Sequence, residues 1–504
     1  MTGILKRLFS KKTKNQQSSS KAHSGENVSI ENTATETQQI EPKILSRDRH
    51  SVSRKKISKN ALKVLYRLNE AGYQAYLVGG GVRDILLGLQ PKDFDVATDA
   101  TPEEIHDLFR NCRLIGRRFR LAHILFGREV IEVATFRAGH EGSEQKTGIV
   151  PPRHDRKNKS HPKKDHLAKT SDQGMLVRDN VYGTMQEDAF RRDFTVNALY
   201  YTVKDFSVID YADGLQDLAE RKLRFIGDPS ARYREDPVRI LRAIRLACKL
   251  NLTIEEKTAE PIKELASLLT HVSSARLWDE CNKMLLAGHA KKTWQELCER
   301  EVASYLFSQT EASLNDKNDD KKCTDFNTFI QAALANTDKR IANEQPVTPA
   351  FLFAVFLWKP LQDLTEKLMK KGMPAYEANQ KASAKVMDVQ RQAVAIPKRF
   401  SVIAKEIWSL QFRLTNLRKK SVHSLINHPR FRAAYDFLCL RAGSDLELVA
   451  LAKWWTDYQQ VDQESRVKML NNATQPAKKR RKKTHKKSSN RSFNKSNNKS
   501  ENKL

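Results

Sequence analysis

The stretch Ala75-Tyr76-Leu77-Val78-Gly79-Gly80-Gly81-Val82-Arg83-Asp84, with Lys92-Asp93-Phe94-Asp95-Val96-Ala97-Thr98 close behind it, decides the fold. The first four residues are apolar and β-prone and predict a short strand that ends in three glycines. Val82 to Gly88 then predicts one or two helical turns closed by glycine. Phe94 to Ala97 predicts a second strand, and because strand side chains alternate, Asp93 and Asp95 point to one face. Upstream, residues 58–76 read as a helix and turn, with Ser58 as N-cap and Leu62, Leu65, Tyr66 and Leu68 as the apolar face. Downstream, Thr101 caps a helix from Pro102 to Arg110 with proline at its first position. His123 to Phe126 and Val130 to Phe136 predict a β-hairpin, and Phe206 to Tyr211 another strand. From Pro237 to about residue 460 the periodicity is helical almost throughout, with no internal repeat. The expected class is α+β: a mixed-sheet head followed by an all-α body.

The chemistry begins with the aspartates. Two carboxylates on one face repel each other unless a cation lies between them. Mg²⁺ takes one or two carboxylates plus substrate phosphates, and paired metals serve phosphoryl or nucleotidyl transfer. Alone, D-x-D is a weak signal, and solvated aspartates on an edge strand are commoner. Its context strengthens it. Gly80 and Gly81 expose backbone N–H groups at a helix start, where anions are favoured, and Arg83 could grip a triphosphate. The plainer reading of the glycines is a tight turn with positive φ. For a third carboxylate there are two candidates. Glu132 lies in Ile131-Glu132-Val133-Ala134-Thr135, where a charge is costly without a partner. Asp193 lies in Arg191-Arg192-Asp193-Phe194-Thr195-Val196-Asn197, where the flanking Arg191 and Arg192, with Asn197, could contact phosphate and ribose; otherwise Asp193 is a helix cap. In Glu235-Asp236-Pro237-Val238-Arg239-Ile240-Leu241-Arg242, Asp236 and Arg239 share a helix face, and Arg242 joins them as a candidate nucleotide contact. An Asp accepts from an exocyclic amine and an Arg donates to the adjacent ring nitrogen. Adenine and cytosine present that edge; uracil and guanine do not. The pair suits ATP or CTP without separating them, and its plain alternative is an i,i+3 salt bridge.

Charge points to the partner. The 504 residues suggest about three structural units, and they carry a formal net charge of +29. Residues 1–60 hold +8 of it and residues 477–504 hold +11. The run Lys478-Lys479-Arg480-Arg481-Lys482-Lys483 opens a Ser/Asn/Lys-rich tail that cannot build a core, read either as a non-specific phosphate binder or as a solubilising extension. Residues 141–173 read as a polar, mobile loop. Ile4, Leu5, Leu8 and Phe9 beside Lys6, Arg7, Lys11 and Lys12 form a two-turn amphipathic start, a candidate peripheral membrane contact, although disorder is the better reading. No run of 18 apolar residues is present, so no transmembrane segment is expected. The six cysteines form no C-x-x-C pair, which excludes a zinc ribbon and fits a reducing compartment.

Taken together, GGGVRDILLG, KDFDVAT, IEVATFR, RRDFTVNAL and REDPVRILRAIRLA resemble the class II nucleotidyltransferases, the family of bacterial poly(A) polymerases and CCA-adding enzymes of tRNA. LIGRRFRLAH at 114–123, PAFLFA at 349–354, IPKR at 396–399 and FRAAYD at 431–436, with the basic tail, look like the poly(A) polymerase branch. The resemblance implies a polymerase-beta-like nucleotidyltransferase head and helical neck, body and tail. It implies template-independent addition of AMP from ATP to RNA 3′ ends, with two Mg²⁺ ions; CCA addition to tRNA is the alternative. It would make Asp93 and Asp95 the metal ligands, Asp193 and Glu132 active-site acids, and Asp236 and Arg239 the base readers. Expected domains are a disordered arm over 1–55, a head over 56–228, a neck over 229–290, an RNA-binding body over 291–465 and a disordered tail over 466–504. Expected partners are mRNA, small RNA and decay intermediates, with RNA-decay proteins as candidates, for a monomer in the bacterial cytoplasm.

Overall fold

A computed structural model describes residues 40–116, 120–138, 169–170, 176–178, 181–316, 320–443 and 445–473. Among these the chain divides into two units, 1–409 and 410–504.

The first unit opens on β1 (Lys43–Leu45), α1 (Lys59–Glu70), β2 (Ala75–Val78), α2 (Gly80–Leu86), β3 (Asp95–Thr98), α3 (Pro102–Leu108), β4 (Cys112–Ile115), β5 (Leu121–Phe126) and β6 (Glu129–Thr135). The short pair β7 (Lys169–Thr170) and β8 (Leu176–Arg178) follows. Then come α4 (Met185–Arg191), β9 (Leu199–Tyr201), β10 (Val208–Asp210) and α5 (Gly214–Glu220). Eight strands form one sheet in the order β1-β10-β9-β2-β3-β6-β5-β4. Only β3 and β6 run parallel in it; the other neighbours are antiparallel.

The two sheet faces differ by register. Leu77, Val96, Val133 and Ala122 pair across four strands and are all buried. The apolar stripe Ala61, Val64, Leu65 and Leu68 of α1 is the buried side of a helix that packs on β2, β3 and β6. Ser58 caps that helix as expected, its Oγ accepting from the N–H groups of Asn60 and Ala61. Thr101 and Glu104 form the capping box of α3, with Pro102 at its first turn. On the opposite face, Val78, Ala97, Phe136, Tyr200 and Ile209 pack with Ala189 of α4 and with Ile226. This is the face that carries Asp95.

The neck continues with α6 (Pro229–Glu235), α7 (Val238–Leu250) and α8 (Ser274–Leu285). The body behind it is helical, and Trp294, Phe307, Phe353 and Phe356 form an aromatic core with ring centroids 4.7–5.7 Å apart. The second unit has its own core, in which Trp455 is fully buried and donates from Nε1 to the Leu414 carbonyl at 2.9 Å. Trp278, Trp294, Trp358, Trp408 and Trp455 are all buried, and Trp454 is partly so.

Three boundaries need correction. The arm expected to be disordered through residue 55 is ordered from at least Ile40. There β1 adds an edge strand to β10, Val52 is fully buried, His50 Nε2 lies 2.9 Å from the Phe206 carbonyl, and Arg54 stacks 4.6 Å over the Phe206 ring. The tail expected from residue 466 begins later, because Gln463–Ala473 is a helix. Arg466 ties that helix back to the Tyr458 and Gln459 carbonyls, and Leu470 is buried in the second core. The strand read over Phe206 to Tyr211 shrinks to Val208–Asp210, since Phe206 adopts φ 62°. The amphipathic start at 4–12, nearly all of the 141–173 loop, and Lys478 to Lys483 lie outside the described residues.

Candidate active site

The candidate site is built on one row of the sheet. Register places His123, Glu132, Asp95, Val78 and Tyr200 side by side across β5, β6, β3, β2 and β9, on a common face. Asp93 sits two residues before Asp95, and the burial alternation Asp93 exposed, Phe94 buried, Asp95 exposed, Val96 buried puts both carboxylates on that face. Glu132 is half exposed, its carboxylate 3.5 Å from His123 Nε2, so it bears none of the burial expected for a charge on an apolar strand. Solvent reaches Asp95, yet the surrounding protein wall and then Glu132 push its carboxyl up to about 6, against the pull of Arg192.

The chain turns away from this row at Gly79. Its φ of +68° and ψ of −127° suit only glycine, and a Cβ there would stand 3.3 Å from Arg192 Nη1. Of the three glycines, the conformational need therefore falls on Gly79, the one not counted among the site residues, rather than on Gly80 or Gly81. The Gly79 N–H donates to the Leu199 carbonyl at 3.1 Å, pinning the turn to β9. Arg83 is 5% exposed. Its guanidinium donates to Asp84 Oδ1 at 2.6 and 2.8 Å and to Asn197 Oδ1. The side chain read as a phosphate grip is thus directed inward, where it braces the turn, because two buried acceptors outcompete an exposed position.

Asp193 is also committed. Its Oδ1 accepts from the Phe194 N–H and Asn197 Nδ2 at 2.9 Å, and its Oδ2 from Arg242 Nε and Nη2 at 2.7 and 2.5 Å. Burial alone would raise its pKa, but Arg242 and Asn197 more than offset that and hold it well below the usual carboxylate range. The ion pair joins the head to α7. A second tie, Lys249 Nζ to Asp84 Oδ2 at 3.4 Å, lies about two turns further along the same face of α7.

Across the same sheet face stands a cluster of guanidinium groups. Arg192 donates to Asp188 Oδ2 at 2.9 and 3.2 Å and to the Tyr200 hydroxyl at 3.1 Å, and Tyr200 in turn donates to Asp188 at 2.7 Å. Arg232 Nη2 reaches the carbonyls of Arg191 and Arg192, fastening α6 to the end of α4. Burial and the charges of Arg137, Arg232, Arg239 and Arg192 pull Arg191 down to about 9. Like charges crowded this closely favour an anion. Asp188, Arg232 and Tyr200 were not picked out from the sequence; the i,i+4 spacing of Asp188 and Arg192 on a capped helix was the available signal.

Asp236 and Arg239 do not pair with each other. Asp236 accepts from Arg276 Nη2 at 2.6 Å, and Arg239 Nη1 donates to Glu235 Oε2 at 2.7 Å and to the Arg232 carbonyl at 2.9 Å. The plain i,i+3 salt bridge is therefore absent.

A divalent cation fits the acidic row by its donor chemistry: exposed hard oxygen atoms whose mutual repulsion raises one of them. Among the described residues no group of three His, Cys, Asp or Glu could hold a metal unaided, so a cation here would complete its shell with substrate oxygens and water.

Comparison with known proteins settles the lineage. Residues 75–224 match the family described as "Poly A polymerase head domain", 251–314 "Probable RNA and SrmB- binding site of polymerase A", and 371–489 "Polymerase A arginine-rich C-terminus". Poly(A) polymerase I of Salmonella typhimurium is 48% identical over 87% of this chain and 90% of its own length. The chain belongs to the poly(A) polymerase I family. A CCA-adding enzyme of Lactococcus lactis is 37% identical, but over only 48% of the chain and 54% of that protein. The solved structure titled "tRNA-processing enzyme (apo form I)" superposes with a TM-score of 0.53 at 20% identity, covering 84% of this chain and 98% of that one, and so shares the nucleotidyltransferase fold. The poly(A) polymerase match to the arginine-rich C-terminus includes Lys478 to Lys483.

Proposed function

We propose that this chain transfers AMP from ATP to the 3′ hydroxyl of RNA without a template. One observation carries the reading: Asp93, Asp95 and Glu132 share a sheet face with an arginine cluster whose charges crowd one another. Negative oxygens for a cation and positive groups for a triphosphate thus lie on the same face of the sheet. Bound there with ATP, Mg²⁺ held by Asp93 and Asp95 would acidify the attacking hydroxyl and offset phosphate charge, and a pair of ions would do so at both ends of the displacement.

The chain's own groups supply the rest. Arg192, kept fully charged by Asp188 and Tyr200, and Arg191 meet the triphosphate and the departing pyrophosphate. Asp236 accepts from the adenine amine and Arg239 donates to the adjacent ring nitrogen, which orients the base and with it the α-phosphorus. Glu132 is the third acid of the row. Asp193, with both oxygens occupied, serves as a positioning residue that holds Asn197 and Arg242 and so fixes head against neck. Residues 40–228, 229–290 and 291–473 act as catalytic head, base-reading neck and RNA-binding body. The basic run Lys478 to Lys483 adds phosphate contacts. The substrates are RNA 3′ ends, including mRNA, small RNA and decay intermediates, in the bacterial cytoplasm, where tailing promotes turnover and processing.

Asp93→Ala and Asp95→Ala test the assignment. Each abolishes AMP incorporation into an RNA primer while leaving RNA affinity, measured by gel shift, unchanged. Retained incorporation would refute the acidic row as the metal site.

A further inference from the structure

Asp236 occupies the junction between α6 and α7. Its backbone is pinned on both sides: its N–H donates to the Arg232 carbonyl at 3.3 Å, and its carbonyl accepts from the Arg239 N–H at 3.0 Å. Its side chain is held more loosely from within its own segment, by one 3.3 Å contact from the Val238 N–H to Oδ1. The strong restraint comes from another helix, through Arg276 of α8 and its 2.6 Å charge-assisted bond to Oδ2. Asp236 is 13% exposed and Arg276 41%, so one is set in the wall and the other braces it from the rim.

The two base readers are thus restrained differently. Glu235 restrains Arg239 from the adjoining turn, whereas Asp236 depends on a residue 40 positions away. Spacing adds a hazard. The bond from the Arg239 N–H to the Asp236 carbonyl keeps the two residues within one turn, and opposite charges held that close attract each other. Were they to pair, acceptor and donor would satisfy each other and offer little to a base.

We infer that Arg276 is a positioning residue for nucleotide selection: it holds the Asp236 carboxylate away from Arg239 and presents it to the exocyclic amine. This rests on the base-reading role proposed above for Asp236. A site built to bond a substrate amine rejects a base lacking it because the buried acceptor is left unsatisfied. Arg276 sustains that rejection without touching the base.

The test is single-nucleotide incorporation into an RNA primer with ATP, GTP and UTP in turn, for the wild type, Arg276→Met, Arg276→Lys, Asp236→Ala and the double variant. Arg276→Met lowers the ATP preference over GTP and UTP by about tenfold, the worth of one charge-assisted bond, chiefly through KM for ATP. Arg276→Lys restores part of the preference, and adding Arg276→Met to Asp236→Ala changes selectivity no further. An unchanged preference in Arg276→Met, or an equal loss in both backgrounds, overturns the inference. If Asp236→Ala itself keeps the preference, the base-reading assignment falls and takes this role with it. If only Asp236→Ala loses it, the reader stands and Arg276 is merely structural.

Discussion

Asp95 carries a charge that its surroundings resist. Its folded-state value of about 6 exceeds the usual carboxylate value of about 4. Without metal, the folded chain keeps this proton longer than the unfolded chain does, so stability from this residue is present below about pH 4 and is lost as pH rises through about 6. Asp95→Asn therefore stabilises the metal-free protein at neutral pH, by about 1 kcal/mol once exposure is allowed for. Adding Mg²⁺ raises the melting temperature of the wild type at neutral pH, less so below about pH 6, and leaves Asp95→Asn unchanged. A pH-independent Mg²⁺ effect in melting curves would count against Asp95 as a ligand. The D-x-D spacing was enough to find this residue. It could not show that Arg83 turns inward, because direction depends on Asp84 and Asn197, the latter 114 positions away.

Among the elements, the turn after β10 does more than its size suggests. The Asp210 carboxylate accepts from the N–H groups of Ala212, Gly214 and Leu215, and Asp213 adopts φ 61°. Gly214 then approaches the 3₁₀ turn Thr195–Asn197 so closely that a Cβ would lie 2.2 Å from the Thr195 carbonyl oxygen. Thr195 Oγ1 also donates to buried Asp217 at 2.6 Å. Gly214→Ala must displace the segment that carries Asp193 and Asn197, costing about 3 kcal/mol in urea unfolding and most of the activity. Wild-type-like stability would show that the approach can relax. Sequence reading missed this support because Leu199-Tyr200-Tyr201 is buried on both faces and lacks alternation. It missed β1 because three residues at a sheet edge leave almost no pattern. The glycine turn, the hairpin and the capped α3 were legible because turn, capping and alternation signals are local.

Over the whole molecule, most of the +29 lies near the termini, and the acidic row of Asp93, Asp95 and Glu132 runs against that balance. In the proposed function the terminal 477–504 segment, with 12 Lys/Arg against one Glu, serves substrate binding rather than reaction. Its deletion weakens RNA affinity and flattens the dependence of log K on log salt by several counterions, with incorporation at saturating RNA preserved. An unchanged salt slope would make the tail a solubilising extension. The helical body was legible from periodicity, whereas the tie between head and neck, Asp193 to Arg242, and the tie within the neck, Asp236 to Arg276, join residues 49 and 40 positions apart and leave no local trace. The most direct test of the whole account offers the purified chain an unstructured RNA primer and Mg²⁺ with each nucleoside triphosphate in turn. Long tails with ATP alone are the predicted result; addition confined to a tRNA end, drawing on CTP and ATP, would contradict it.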